Sequence, residues 1–115
     1  MKHEKLPDEC TGLTHRAIVA GVKLYIETSE YADGRLGRVA ITISKPGNEL
    51  RLFDAIGEGI SIGLQRGIPL AVYVDTWSYQ SAGTGGTTDD AEFPVVKSIL
   101  DFVVRWLEQK YGGKE

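Results

Sequence analysis

The sequence predicts an α+β fold: a three-stranded antiparallel meander followed by two long helices and one short helix on one face of the sheet. Two observations carry this. Before Pro46 apolar residues alternate with polar ones at a period of two; after it they recur every three or four residues. Turn signals also fall where a meander needs them, at Ala20-Gly21 and Asp33-Gly34.

Taken in order, residues 1–12 are polar, carry Pro7 and Gly12, and are expected to form an arm before a single domain over 13–115. Residues 13–19 are the first strand. In 22–29, Val22, Leu24 and Ile26 alternate with Lys23, Tyr25 and Glu27. In 38–44, Val39, Ile41 and Ile43 alternate with Arg38, Ala40 and Thr42. One face of each strand therefore meets a core and the other meets water or a partner. Pro46-Gly47 ends the sheet and Asn48 is a candidate helix cap. Leu52, Phe53, Ile56, Ile60 and Leu64 then form a helical stripe. Gly57, Gly59 and Gly63 interrupt it, which makes sense where another backbone packs close. Gly67 ends this helix and Pro69 opens a short one over 69–77. The last helix is expected over 94–111, with Pro94 in its first turn and Val95, Val96, Ile99, Leu100, Val103, Trp106 and Leu107 inward. Asp89, Asp90 and Glu92 would then sit at the positive end of its dipole.

Composition bounds the function. The chain has 115 residues, one domain's worth, with 42% hydrophobic and 25% charged residues. A net charge of -3 argues against general nucleic-acid binding, which needs clustered positive surface. The single Cys10 allows no internal disulfide. The polar amino terminus has no secretory h-region and no apolar run spans a bilayer, so a cytoplasmic setting is expected, with no membrane partner. Fourteen glycines exceed the usual share of about eight in a chain this long.

The segment SYQSAGTGGTTDD, residues 78–90, is the candidate functional loop. Its glycines admit close backbone approach to phosphate, and Ser81, Thr84, Thr87 and Thr88 can donate hydroxyls. It lacks the Gly-Lys-Ser/Thr of a nucleotide-binding P-loop, and its acidic end repels phosphate there. A plain connection is the competing reading. Charge for a ligand would come from Arg38, Lys45, Arg51 or Arg105, with Trp77 or Tyr79 stacking on a base. Cys10 and His15 form no catalytic set, and His3, Cys10 and His15 lack zinc spacing, so neither catalytic nor metal residues are assigned. Asp54 and Glu58, one turn apart, are best read as a solvated helix face.

Three stretches resemble a known family in order: LPDECTGLTHRAIVAGVKLYIETSEYADGRLGRVAITISKPGNEL, LFDAIGEGISIGLQRGIPLAVYV and GTTDDAEFPVVKSILDFVVRWLEQKY. Together they resemble the small auxiliary TSCPD module near the carboxyl end of adenosylcobalamin-dependent (class II) ribonucleotide reductases, from Leu6 to Tyr111. The resemblance implies a module without the catalytic barrel, its active-site cysteines or its cobalamin loops, hence neither an enzyme nor a cofactor binder. Two departures stand out: Cys10 replaces the family's Arg after Glu9, and Tyr79-Gln80-Ser81-Ala82-Gly83 replaces its aromatic-Glu-Pro-Ser-Gly turn. The expectation is a non-catalytic module for a nucleotide-like small molecule, in a phage setting a sponge for nucleotide immune signals. The alternative is a structural domain serving a reductase subunit in trans. The glycines of the first long helix and the apolar last helix point to a homo-oligomer.

Overall fold

The structure is a computed structural model and describes residues 2–44, 47–81 and 85–114. Three strands come first, β1 (Thr14–Val19), β2 (Val22–Glu30) and β3 (Leu36–Ile43), then helices α1 (Asn48–Leu64) and α2 (Leu70–Trp77). A two-residue pair, β4 (Gly86–Thr87) and β5 (Val95–Val96), precedes α3 (Ile99–Tyr111). The α+β architecture matches the sequence expectation.

The sheet order is β1-β2-β3, antiparallel throughout. Ala17 faces Leu24 and Val19 faces Val22, while Leu24 faces Ile43 and Ile26 faces Ile41. Ala17, Val19, Leu24, Ile26, Val39, Ile41 and Ile43 are buried on that face. Arg16, Lys23, Glu27, Arg38 and Thr42 lie exposed on the other. The β1–β2 turn has positive φ at both Ala20 (48°) and Gly21 (82°), the twist a two-residue hairpin needs. Against the inner face stand Phe53 and Ile60 of α1 and Phe102, Val103, Trp106 and Leu107 of α3, all at most 5% exposed. Burying each such side chain contributes about 1.5–3 kcal/mol.

Both edges of the sheet are closed. Ser61 of α1 accepts the Val39 N–H at 2.9 Å, and Gln65 Nε2 donates to the Gly37 carbonyl at 3.0 Å. These are groups β3 turns away from β2, so a helix occupies the place of a fourth strand. Gly57 permits the approach: a Cβ there would stand 3.0 Å from the Val39 carbonyl oxygen. A glycine inside a helix costs about 1 kcal/mol against alanine. Close packing offsets that at Gly57 and at Gly63, where the Tyr73 hydroxyl fills the space, but around Gly59 nothing lies within 4 Å.

The other edge is closed by the second half of the Gly-rich loop. Ala20 N–H donates to the Thr87 carbonyl at 2.8 Å, Asp89 N–H to the Ile18 carbonyl at 3.1 Å, and Ile18 N–H to Asp89 Oδ1 at 2.7 Å. Covering both rims removes a template for strand-to-strand aggregation.

Two local expectations, on the last helix and on Asn48, are corrected. The last helix does not begin at Pro94. Val95–Val96 pairs with Gly86–Thr87 instead, and α3 starts after Ser98, whose side chain accepts the Asp101 N–H at 3.0 Å. Asp89 and Asp90 consequently serve β1 and not the α3 dipole. Asn48 is not a cap, because α1 starts on it after Gly47 with no side-chain cap. The amino-terminal segment is held along the domain. Thr28 N–H donates to the Leu13 carbonyl and Glu30 N–H to the Thr11 carbonyl, both at 2.9 Å. Arg35 binds Glu4 through two nitrogens at 2.7 and 2.8 Å.

Candidate functional site

Tyr79, the first residue beyond the α2 cap Ser78, has φ 62°, a left-handed conformation costly for a residue with a Cβ. What fixes it is Asp101. That carboxylate is wholly buried. Its Oδ1 accepts the Tyr79 N–H at 2.6 Å and Arg105 Nε at 2.9 Å. Its Oδ2 accepts the Lys97 N–H at 2.8 Å and Arg105 Nη2 at 3.0 Å. Burial works to raise the Asp101 carboxyl, but the amides of Lys97 and Tyr79 and the Arg105 guanidinium outweigh it and hold it below the ordinary carboxylate value. Ser98 Oγ donates to the Gln80 carbonyl at 2.7 Å and ties the next residue to the start of α3. The Ser78 hydroxyl is buried with no partner among the described residues, a second local cost at this turn.

The consequence is an aromatic ring presented to solvent. Tyr79 is 66% exposed. Its ring lies 4.5 Å from the Arg105 guanidinium carbon, which also stands 5.5 Å from the Phe93 ring. A groove of about 510 Å³ opens beside it, lined by Tyr79, Ser81, Gly85, Val95, Val96, Lys97 and Arg105. It offers a π face, an ammonium group, a hydroxyl and a glycine backbone around two valines.

Of the sequence-derived candidates, Tyr79, Ser81 and Arg105 meet here. The others do not. Arg38 lines a separate groove with Asp54 and Glu58, between β3 and α1. Arg51 is exposed on the first turns of α1. Trp77 is half-buried against the core, its ring 5.5 Å from that of Tyr73. Thr88 spends its hydroxyl on the Phe93 carbonyl at 2.6 Å, and Thr87 sits in β4 with its carbonyl bound to Ala20. Lys45 and Thr84 lie outside the described residues. The sequence reading missed Lys97 and Asp101 as site residues. The pattern Ser98-x-x-Asp101, a helix-start signal, would have moved the start of α3 and freed Lys97 from the helix.

His15 is also engaged. Its Nε2 lies 3.0 Å from Asp90 Oδ2, and its ring stacks 4.9 Å from Trp106. Among the described residues no group of three or more His, Cys, Asp or Glu could hold a metal ion. No described helix is long and apolar enough to cross a membrane.

The fold and groove define a small α+β module with an anchored aromatic-cationic surface. The chain belongs to the TSCPD domain family, whose model matches residues 1–111. It is similar to vitamin B12-dependent ribonucleotide reductases. The one from Bradyrhizobium diazoefficiens is 40% identical over 98% of this chain and 9% of that protein. The one from Rhodopirellula baltica is 36% identical over 92% of this chain and 10% of that protein. The one from Streptantibioticus cattleyicolor is 34% identical over 90% of this chain and 18% of that protein. The chain thus spans less than a fifth of the length of these relatives. No solved structure matches it.

Proposed function

We propose that this domain is a non-catalytic binding module whose Tyr79–Lys97–Arg105 groove takes a nucleotide-type ligand, with the base on Tyr79 and the phosphate at Lys97. The observation that carries the reading is Tyr79 itself. Its backbone is held in a costly conformation by a buried carboxylate, and the result is an exposed ring. Stacking on an aromatic is tolerant of base identity. Arg105 is neutralised by Asp101, so its part is to back the ring while Lys97 supplies the charge. The relatives' name concerns ribonucleotide reduction, which makes a nucleotide a natural ligand class. In a phage, the same groove would sequester nucleotide immune signals.

A second reading is a structural domain that serves a reductase in trans. It is favoured by the number of loop groups spent internally, Thr88, Asp89 and Asp90 among them. Amide NMR titration separates the two. Under the binding reading, nucleoside phosphates and cyclic nucleotides shift the resonances of Tyr79, Ser81, Gly85 and Lys97 saturably. Shifts absent there, or equal with inorganic phosphate alone, leave the structural reading.

A further inference from the structure

The outer side of α1 carries an apolar stripe that none of the described residues covers. Leu52 and Ile62 are 58% and 49% exposed, and Ala55 and Gly59 between them are exposed too. Positions 52, 55, 59 and 62 follow three-four-three spacing, the seam pattern of a paired helix, and span an arc of roughly 80°. Gly59 is the informative residue. The two other interior glycines make room for β3 and for Tyr73, whereas a side chain at Gly59 would meet nothing within 4 Å. Its smallness serves no packing among the described residues.

We propose that α1 pairs antiparallel with α1 of a second copy of this chain, crossing at Ala55 and Gly59. The stripe is self-complementary, small in the middle and large at both ends. With the two-fold axis midway between Ala55 and Gly59, Leu52 of each copy meets Ile62 of the other, and Ala55 meets Gly59. Charge agrees with this register. Arg51 and Glu58 share one flank of the stripe. Reversal brings Arg51 of each copy to within roughly 8 Å, along the axis, of the other copy's Glu58, a gap that two extended side chains span. Those two contacts offset the approach of the two Glu58 carboxylates near the axis. Four side chains from each copy bury less than the ~1,200 Å² of a standard interface, so the dimer is weak and visible at about 100 µM protein and above.

Sedimentation velocity of the full chain tests this. A concentration-dependent monomer–dimer equilibrium is expected. Ile62→Glu should weaken it at least ~10-fold, as should Arg51→Glu, while Arg51→Glu combined with Glu58→Arg restores it. Circular dichroism of each variant confirms that the fold is kept. In a Cys10→Ser background, an equimolar mixture of Ala55→Cys and Gly59→Cys chains should cross-link on oxidation far faster than either alone. A wild type that stays monomeric overturns the proposal. So does a dimer indifferent to Ile62→Glu, a charge swap that restores nothing, or self-cross-linking through Leu52→Cys, which marks parallel helices.

Discussion

The Asp101 carboxylate and the Tyr79 amide are joined by a 2.6 Å hydrogen bond between α3 and the turn that follows α2. Through it a buried charge dictates the backbone conformation of an exposed aromatic. Asp101→Ala would leave the Tyr79 and Lys97 amides and Arg105 without their common acceptor. Breaking a buried ion pair from one side costs about 3–5 kcal/mol. Urea denaturation should show that loss, and a loss below about 1 kcal/mol would mean that the turn is held by other contacts.

The same carboxylate sets an acid limit. Its folded pKa lies below its ordinary value. Its contribution is therefore complete above the unfolded value of about 3.9 and is lost as pH falls through the lower folded value. Asp101→Asn should be less stable than wild type near neutrality, and the gap should narrow in that acid window. A gap constant down to pH ~2 would contradict the assignment.

Tyr111 sets an alkaline limit. Burial, with help from the Glu30 carboxylate 2.6 Å away, pushes its phenol up to about 12. A raised folded pKa gives stability that is present below the unfolded value of about 10 and lost as pH rises through the folded one. Burial also raises Tyr31 and Tyr73, so absorbance titration should find several late tyrosines, and Tyr111→Phe should remove the step near 12 while leaving the others.

Ser61 and Val39 make a further test. The Ser61 hydroxyl accepts the Val39 N–H and lies 3.1 Å from the Val39 carbonyl, at the β3 edge. Ser61→Ala leaves those backbone groups buried without a partner and should cost about 1–3 kcal/mol. Hydrogen exchange should localise the effect, with faster exchange at the Val39 amide and little change in β1.

Gly12 shows how a loose-looking segment is fixed. A Cβ there would collide with the Thr28 carbonyl oxygen. Because backbone and not a flexible side chain must give way, Gly12→Ala should destabilise the domain by about 3 kcal/mol, read as a lowered thermal midpoint. A neutral substitution would show that residues 11–13 do not depend on their contact with β2.

What the sequence made legible follows from periodicity. The alternation in 22–29 and the turn residues Ala20, Gly21 and Gly34 gave the meander, and the three- and four-residue spacing after Asn48 gave the helices. The β4–β5 pair escaped because two-residue strands have no period, and Pro94 imitates a helix start. Asp89 and Asp90 read as dipole partners, since a sequence does not reveal that they reach back about 70 residues to Ile18 and His15. Lys97 was hidden by the same misplaced boundary. The cations Arg38 and Arg51 looked equivalent to Arg105, because only the fold separates a β3 groove from an α3 groove.

The central claim is that the groove beside Tyr79 binds a nucleotide. Titration calorimetry of the wild type, Tyr79→Ala and Lys97→Ala with nucleoside phosphates and cyclic nucleotides tests it most directly. The account predicts saturable binding tighter than about 1 mM by the wild type. Tyr79→Ala should lose about 1–3 kcal/mol of stacking, and Lys97→Ala about 1.5–3 kcal/mol from a charged hydrogen bond. Absence of any nucleotide binding below about 1 mM, or binding that neither substitution changes, would contradict it.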